Sequence, residues 1–228
     1  MTKKILITGA NGQLGHEMRN ALKGNNRFEC IFTDVAELDI CNTEAVKQTM
    51  ANNHIDYIVN CAAYTQVDKA EDNAELCKKI NTDAVENLAR AAADYGARMI
   101  HISTDYVFNG RGYRPYTEDM VPDPQSVYGS TKLEGEKILT DICPESIIIR
   151  TAWLYSPYGN NFVKTMLHLG EEREELSVVA DQIGTPTCAA DLAQAILVIL
   201  QADTFVPGTY HFSDEGVCSW YDFTVTIH

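Results

Sequence analysis

A tyrosine and a lysine four residues apart are the first groups in this chain that could do chemistry. Tyr128 and Lys132 belong to the segment Tyr-Gly-Ser-Thr-Lys, which opens a predicted helix, and residues four apart share one helical face. A phenol has an ordinary pKa of about 10, and an adjacent ammonium lowers it by stabilising the phenolate. The pair therefore predicts a general acid and base. The spacing alone is weak evidence in a chain with 11 tyrosines, so its context decides.

A predicted strand that ends in polar residues supplies part of that context. Ser103, Thr104 and Asp105 follow an apolar run. The Thr104 hydroxyl could hydrogen-bond the oxygen of a carbonyl that is being reduced, and Tyr128 could protonate that oxygen. The alternative is a polar strand end that only needs capping. A glycine turn, a strand-end Ser-Thr and a Tyr/Lys pair occur in this order along the chain, which favours the catalytic interpretation.

The glycine turn lies between the first predicted strand and the first predicted helix. Gly9, Gly12 and Gly15 have the spacing Gly-x-x-Gly-x-x-Gly. Glycines here allow the backbone to approach a pyrophosphate, and the helix N-terminus offers free N–H groups and the positive end of its dipole. A plain glycine-rich turn would fit the motif alone, and its placement after a strand favours a dinucleotide site.

Asp34 ends the second predicted strand, where a carboxylate can bond an adenosine ribose. A turn or helix-capping aspartate is an equal alternative. An acid there favours NADH because it would repel a 2′-phosphate, but the loop from Val35 to Ile40 could carry the ribose contacts instead. The sequence therefore leaves NADH and NADPH open.

Short apolar runs alternate with longer amphipathic segments, which is the pattern of parallel strands joined by helices. Continuous apolar runs such as Ile147-Ile148-Ile149 suit strands that are covered on both faces. The strands are predicted at Lys4 to Thr8, Glu29 to Thr33, Tyr57 to Cys61, Met99 to Ser103 and Ser146 to Arg150, with a weaker one at Leu176 to Ala180. The helices are predicted at Gln13 to Lys23, Thr43 to Asn53, Ala74 to Tyr95, Val127 to Ile142, Asn161 to Gly170 and Ala190 to Ala202.

This pattern predicts an α/β fold, a Rossmann-type doubly wound parallel sheet with a small, incomplete C-terminal substrate lobe. Residues 1–150 are expected to form the NAD(P)-binding domain, with 172–212 adding strands and a helix to it, and 151–228 to supply lobe segments. The segment Ser219 to His228 has the pattern of an opening helix.

Charge and cysteine content exclude several classes of function. The formal net charge is -14 and the pI is near 4.7, which disfavours binding to nucleic acid or to an anionic membrane through a basic surface. The seven cysteines are scattered singly and are expected to be reduced thiols rather than disulfides or zinc ligands. Neither a signal-peptide core nor a membrane-spanning run is present, so a cytoplasmic location is expected.

The chain resembles the extended short-chain dehydrogenase/reductase family, and within it the dTDP-4-dehydrorhamnose reductases. The resemblance covers the whole chain and depends on the segments ILITGANGQLG, VNCAAYTQVDKAE, HISTDYVFNG, YGSTKLEGEK, RTAWLY, PYGNNF and DQIGTPT. It implies reduction of a 4-keto deoxysugar nucleotide with NADPH or NADH. A magnesium ion is not indicated by the sequence, and a homodimer is left open.

The resemblance also implies roles for particular residues. Tyr128 would be the proton donor, Lys132 its partner and a ribose ligand, and Thr104 the hydroxyl that orients the carbonyl. The cofactor would lie along Gly9, Gly12, Gln13, Leu14 and Gly15 at the pyrophosphate, Asp34, Asp39 and Ile40 at the adenosine, and Ala62, Ala63 and Tyr64 beyond them. Thr104, Asp105 and Trp153 would touch the substrate. Tight packing for Ala62 and Ala63, and core burial for Trp153, are the alternatives.

Two other functions use the same motifs. A nucleotide-sugar dehydratase or epimerase would share the fold and the Tyr/Lys pair, but dehydratases need an acid–base pair after the strand-end threonine, and Asp105 is followed by Tyr106 rather than Glu. A regulatory subunit of the methionine adenosyltransferase type would keep the cofactor motifs without catalysis. Trp153 and the segment NNF favour the reductase.

Overall fold

A parallel sheet forms the centre of the molecule, which a computed structural model describes over residues 2–228. Its six strands are joined in the order β2-β1-β3-β4-β5-β9, and every neighbouring pair is parallel. These strands are β1 (Lys3–Thr8), β2 (Phe28–Phe32), β3 (Tyr57–Asn60), β4 (Arg98–Thr104), β5 (Ile147–Thr151) and β9 (Gly208–His211). The chain leaves β1 for β2 on one side and later returns to β3 on the other, so the strand order reverses between β1 and β3. Ligand crevices of doubly wound sheets lie at such a reversal.

Helices cover both faces of the sheet. They are α1 (Gln13–Ala21), α2 (Thr43–Asn53), α3 (Val67–Asp72), α4 (Ala74–Lys78), α5 (Ala84–Tyr95), α6 (Val127–Ile142), α7 (Phe162–Glu172), α8 (Ala189–Gln201) and α9 (Trp220–Ile227). A π-helical turn, Lys79–Asp83, joins α4 to α5, and a 3-10 turn, Asp105–Val107, follows β4.

Alternate residues of the strands supply the two cores. Leu6 and Ile58 face α2, α5 and α6, whereas Ile5, Ile7 and Val59 face α1 and α8. All five are fully buried. Because β1 and β3 are apolar on both faces, these inner strands must be covered on both sides, as their sequence indicated.

The lobe is built from short pieces. Two two-stranded sheets pair β6 (Leu154–Tyr155) with β8 (Thr187–Cys188), and β7 (Ile183–Gly184) with β10 (Cys218–Ser219). α9 begins with a capping box in which Ser219 and Asp222 bond each other's backbone N–H groups.

The predicted fold class, a doubly wound parallel sheet, is confirmed, and the five main predicted strands are present. The strand predicted at Leu176 to Ala180 is wrong: this segment has no regular structure, and Val179 is half exposed. Its apolar residues favour a strand locally, but none of the strand pairings among residues 2–228 involves this segment. The helix predicted at Ala74 to Tyr95 is interrupted by the π-helical turn. The domain boundaries remain predictions. Among residues 2–228, no helix is both long and apolar enough to cross a membrane.

Candidate active site

The glycine turn brings the end of β1 against the end of β3. Gly9 has φ +63°, and a Cβ on it would lie 2.6 Å from the backbone nitrogen of Ala62. A side chain would therefore be strained and would also separate the two strand ends. Gly12 N-caps α1 and has no side chain to bond the first N–H groups of the helix, which begins with Gln13 and Leu14. These groups remain for an external acceptor.

A crevice of about 550 Å³ opens beside this turn. Its lining comes from the segments that follow three strands: Gly9, Asn11 and Gly12 after β1; Asp34, Val35, Leu38, Asp39, Ile40 and Cys41 after β2; and Cys61, Ala62 and Ala63 after β3, with Leu76, Lys79 and Ile80 opposite. The lining is mainly apolar, with a glycine-lined wall. These residues fit a dinucleotide: the small side chains and α1 suit the pyrophosphate, and the segment after β2 suits the adenosine.

Asp34 contributes to the crevice wall and is held by backbone groups. One carboxylate oxygen accepts the N–H of Asn11 at 2.9 Å, and the other accepts the N–H of Val35 at 2.8 Å. The side chain thus braces the glycine turn against the loop after β2, which is the turn-stabilising alternative stated above. Its contact with a ribose stays a prediction, and so do the contacts of Asp39 and Ile40.

The segment Ala62–Ala63–Tyr64 is fixed by an amide from the π-helical turn. Asn81 is 1% exposed; its Oδ1 accepts the N–H of Tyr64 at 2.8 Å, and its Nδ2 donates to the Tyr64 carbonyl oxygen at 3.1 Å. Tyr64 also packs in one cluster with Tyr128. The wall of the crevice is therefore continuous with the surroundings of the Tyr128 phenol.

Thr104, Asp105 and Tyr128 come together where β4 ends and α6 begins. The Thr104 hydroxyl donates to Asp105 at 3.1 Å and accepts the N–H of Tyr106 at 3.1 Å. Tyr106 lies edge-on to the Tyr128 ring, with centroids 5.5 Å apart. Gly129 allows this approach, because a Cβ on it would collide with the carbonyl oxygen of Tyr106. Ser126 caps α6 by accepting the N–H of Gly129 at 3.1 Å.

Burial raises the pKa values of the Tyr128 phenol and the Asp105 carboxyl group. It raises the pKa of the Tyr128 phenol well above its ordinary value; a hydrogen bond with Thr104 acts against this, and the charge of Asp105 adds to it. The expectation that the Lys132 ammonium would bring this pKa below its ordinary value is therefore wrong, because burial outweighs every group that lowers it. Burial also raises the pKa of Asp105 to about 6. Tyr128 is therefore a protonated phenol at neutral pH, which is the form that can donate a proton.

Lys132 lies one helical turn beyond Tyr128 and is 1% exposed. Its Nζ donates to the carbonyl oxygen of Ile102 at 2.6 Å and lies 3.2 Å from Nε2 of His101. Burial lowers the pKa of this amine to about 8, while the charge of Glu136 acts in the opposite direction. The Lys132 side chain is thus buried against β4, where it hydrogen-bonds Ile102, rather than exposed to solvent on α6.

The lobe holds Trp153 two residues after β5. Trp153 has φ +47°, and its ring stacks on Trp220 with centroids 3.4 Å apart. Gln13 connects α1 to this region, because its Oε1 accepts from Asn161 at 2.9 Å and its Nε2 donates to Leu154 at 3.4 Å. The contacts of Trp153 with a substrate remain a prediction.

Sequence reasoning missed three buried polar residues: Asn60, Asn81 and His101. Each is at most 1% exposed. The available signal was a polar residue inside an otherwise apolar strand or helix, since such groups are buried only when they are hydrogen-bonded. No group of three or more His, Cys, Asp or Glu side chains between residues 2 and 228 is placed to bind a metal ion.

A glycine-lined crevice at the strand reversal, with a buried Tyr/Lys pair next to a strand-end threonine, defines an NAD(P)-dependent oxidoreductase of the short-chain dehydrogenase/reductase class. The family model described as the RmlD substrate binding domain matches residues 3–228. The chain is 46% identical over 231 residues to dTDP-4-dehydrorhamnose reductase of Escherichia coli K12, covering 98% of this chain and 76% of that protein. The chain belongs to the family of dTDP-4-dehydrorhamnose reductases, as its motifs predicted.

Solved structures agree with this assignment. A dTDP-4-dehydrorhamnose reductase from Clostridium acetobutylicum has a TM-score of 0.94 and 51% identity, covering 98% of this chain and 79% of that one. The Bacillus anthracis reductase, solved in complex with NADP, has a TM-score of 0.95 and 44% identity, covering 100% of this chain and 80% of that one. The lengths covered mean that this chain spans about four fifths of these two proteins.

Proposed function

We propose that this protein reduces the 4-keto group of dTDP-4-dehydro-L-rhamnose to give dTDP-L-rhamnose, with NADPH or NADH as reductant. The observation that carries the proposal is the buried Tyr128 phenol, which packs against Tyr64, the residue that directly follows Ala62 and Ala63 in the crevice lining. Membership of the reductase family supports the choice of substrate, and the NADP complex of the Bacillus anthracis relative supports the cofactor.

The residues have separate tasks in this reaction. When it is bound, the reduced nicotinamide supplies a hydride to C4 of the sugar. The Thr104 hydroxyl orients the C4 carbonyl oxygen, and the Tyr128 phenol donates its proton to that oxygen as the alcohol forms. The resulting phenolate recovers a proton from solvent, so each turnover consumes one hydride and one proton.

Two alternatives use the same crevice. A dehydratase needs a second acid–base residue beside Asp105, but the next residue is Tyr106, and burial together with the charges of Asp105 and Asp68 raises the pKa of this phenol. A regulatory subunit of the methionine adenosyltransferase type would bind the dinucleotide without turnover. A single assay with a catalytic variant separates these functions.

The test follows NADPH absorbance with dTDP-4-keto-L-rhamnose generated from its keto precursor in the cuvette. We expect turnover by the unmodified chain and a loss of at least about a hundredfold in Tyr128→Phe, since general acid catalysis contributes about 10²–10⁴. Tyr113→Phe is the matched control, because Tyr113 is 90% exposed. Dinucleotide binding without turnover by the unmodified chain would overturn the proposal and favour the regulatory function.

The finer expectations about surroundings, a cytoplasmic location and a homodimer, remain predictions. Cell fractionation tests the first, and sedimentation velocity over a range of protein concentrations tests the second. A membrane-associated or exported protein would contradict the first expectation, and a monomer at all concentrations would contradict the second.

A further inference from the structure

A chain of buried polar side chains runs beneath the catalytic helix from Lys132 to β1. Lys132 Nζ lies 3.2 Å from His101 Nε2, and His101 Nδ1 lies 3.0 Å from Nδ2 of Asn60. The Asn60 Oδ1 accepts from the Thr8 hydroxyl at 2.7 Å. Thr8, Asn60 and His101 are fully buried. Because no solvent reaches these atoms, their protons must satisfy one another.

The orientation of the Asn60 amide is fixed by a backbone group. Its Oδ1 also accepts the N–H of Ala62 at 3.2 Å, and a backbone N–H can only donate. The amide oxygen must therefore face Ala62 and Thr8, which leaves the amide nitrogen facing His101. Since that nitrogen can only donate, His101 Nδ1 is an acceptor and carries no hydrogen.

This orientation determines the tautomer of His101. A neutral imidazole has one N–H, so the hydrogen must be on Nε2, pointing at Lys132. An ammonium has three donors and no acceptor, whereas a neutral amine has a lone pair. A neutral Lys132 can accept from His101 Nε2 and still donate to the Ile102 carbonyl oxygen at 2.6 Å. If Lys132 were charged, one of its N–H groups would face the Nε2–H of His101, and neither group could accept a hydrogen bond from the other.

The other placements of hydrogen on His101 and Asn60 are disfavoured. With the hydrogen on Nδ1, two N–H groups would meet across the 3.0 Å between His101 and Asn60. Rotating the Asn60 amide by half a turn would move the conflict to the N–H of Ala62. A doubly protonated imidazole is opposed by burial and by the neighbouring Lys132, both of which lower the pKa of His101 well below its ordinary value.

We propose that His101, oriented by Asn60, is a positioning residue that favours the neutral amine form of Lys132 and couples the proton of the lysine to the tautomer of the histidine. Lys132 would then lose its proton at mildly alkaline pH, near a pKa of about 8, instead of staying charged up to the ordinary lysine pKa. The consequence for turnover rests on the proposed function; the coupling itself does not.

Two other titratable groups near Lys132, Glu136 and Cys77, favour its charged form. Glu136, one helical turn further along α6, raises the pKa of Lys132, and so does Cys77 from α4. Arg150 from β5 holds the Glu136 carboxylate in an ion pair at 2.7 Å, which limits its attraction for the amine. Burial lowers the pKa of Lys132 to about 8, and a donor at His101 Nε2 acts in the same direction.

The direct test is NMR of the chain itself. Ring-nitrogen shifts of His101 report its tautomer, and the Cε shift of Lys132 reports its charge; the signals are assigned by their loss in His101→Asn and Lys132→Met. At about pH 9.5, between the buried and ordinary lysine pKa values, we expect the Nε2–H tautomer. We also expect the His101 nitrogens to shift with the same midpoint as Lys132. The exposed Lys137 of the same helix is the internal reference.

Asn60→Asp tests the direction of the coupling. A carboxylate at this position still accepts from Thr8 and Ala62 but also accepts from His101 Nδ1, so the hydrogen moves to Nδ1 and Nε2 becomes an acceptor for a charged Lys132. We expect the His101 tautomer to reverse and the pKa of Lys132 to rise by at least about one unit. The added charge alone would raise this pKa but would leave the hydrogen on Nε2.

Three results would overturn the proposal: an Nδ1–H tautomer in the unmodified chain, a Lys132 that titrates with Lys137, or an unchanged tautomer in Asn60→Asp. If Asn60→Asp does not fold, His101→Asn gives the same comparison, because its shorter amide reaches Asn60 but not Lys132, and the pKa of Lys132 should rise. None of these measurements involves turnover, so a failure of the proposed function leaves them interpretable.

Discussion

At the level of single residues, a buried ion pair joins Arg150 of β5 to Glu136 of α6. Arg150 binds both carboxylate oxygens of Glu136, at 2.7 and 3.0 Å for the closest pairs, and Ser103 donates to the same carboxylate. The two charged side chains are 8% and 4% exposed. Removing one member of a buried pair leaves the other charge without compensation.

Glu136→Gln should therefore destabilise the fold strongly. We expect a loss of about 3–5 kcal/mol in the free energy of unfolding, because the Arg150 charge remains buried. Denaturant titration measures the change. Glu86→Gln is the matched control, since Glu86 pairs with Arg90 on the surface of α5 at 2.7 Å and exposed pairs of this spacing contribute about 0.3–0.5 kcal/mol. Similar losses in both variants would contradict this account.

The residues that the sequence could reveal are those whose signal is local. Tyr128 and Lys132 share one turn of helix, and Gly9 to Gly15 share one loop, so their spacing was legible without a structure. The contacts of His101 join residues 41 and 31 positions away, at Asn60 and Lys132. Nothing in the sequence around a buried histidine identifies such distant partners, so its role emerged only from the fold.

At the scale of elements, the position of α6 against the end of β4 sets the geometry of the site. α6 carries Tyr128 and Lys132, and the 3-10 turn after β4 follows directly on Thr104. The two elements touch where Gly129 lies against the Tyr106 carbonyl oxygen. The phenol and the Thr104 hydroxyl therefore depend on a close approach that only glycine permits.

Gly129→Ala should push α6 away from β4. The new Cβ would overlap the Tyr106 carbonyl oxygen, and we expect kcat to fall by at least about tenfold, since displacements near 1 Å cost about a hundredfold. Ser130→Ala places the same side chain at the exposed neighbouring position of the helix and should leave kcat within about twofold. Steady-state kinetics of both variants tests this, and equal rates would show that the contact does not position the phenol.

The strand prediction that failed shows the limit of local patterns at this scale. The segment Leu176 to Ala180 has the apolar, β-branched residues of a strand, and such propensity depends on whether a neighbouring strand is present. The main strands were predictable because each is buried on both faces, which leaves a continuous apolar run. The lobe strands contain two residues each, too few to leave a pattern.

At the scale of the whole molecule, an acidic protein holds an anionic cofactor through local backbone geometry. The net charge of -14 gives no general attraction for phosphates. The strand reversal places the glycine turn, the start of α1 and the small residues after β3 in one crevice. Affinity for the dinucleotide therefore depends on how closely β1 and β3 end together.

Gly9→Ala should weaken dinucleotide binding. Its Cβ would lie 2.6 Å from the Ala62 nitrogen, and we expect the Kd for NADPH to rise by about tenfold or more, which corresponds to roughly 1.4 kcal/mol or more. Gly24→Ala separates this close approach from backbone strain, because Gly24 has φ +75° but no atom within 4 Å of an added Cβ. Calorimetric titration measures both, and equal affinities would contradict the proposed crevice.

In the proposed reaction the hydride passes from the nicotinamide in the crevice to C4 of the keto sugar, whose oxygen Tyr128 protonates. NADPH labelled with deuterium at its transferring C4 position tests this transfer, with the product analysed by mass spectrometry and NMR. We predict one deuterium in each molecule of dTDP-L-rhamnose, attached at C4 of the sugar. Product without deuterium, or with deuterium at another carbon, would contradict direct transfer to the carbonyl that Tyr128 protonates.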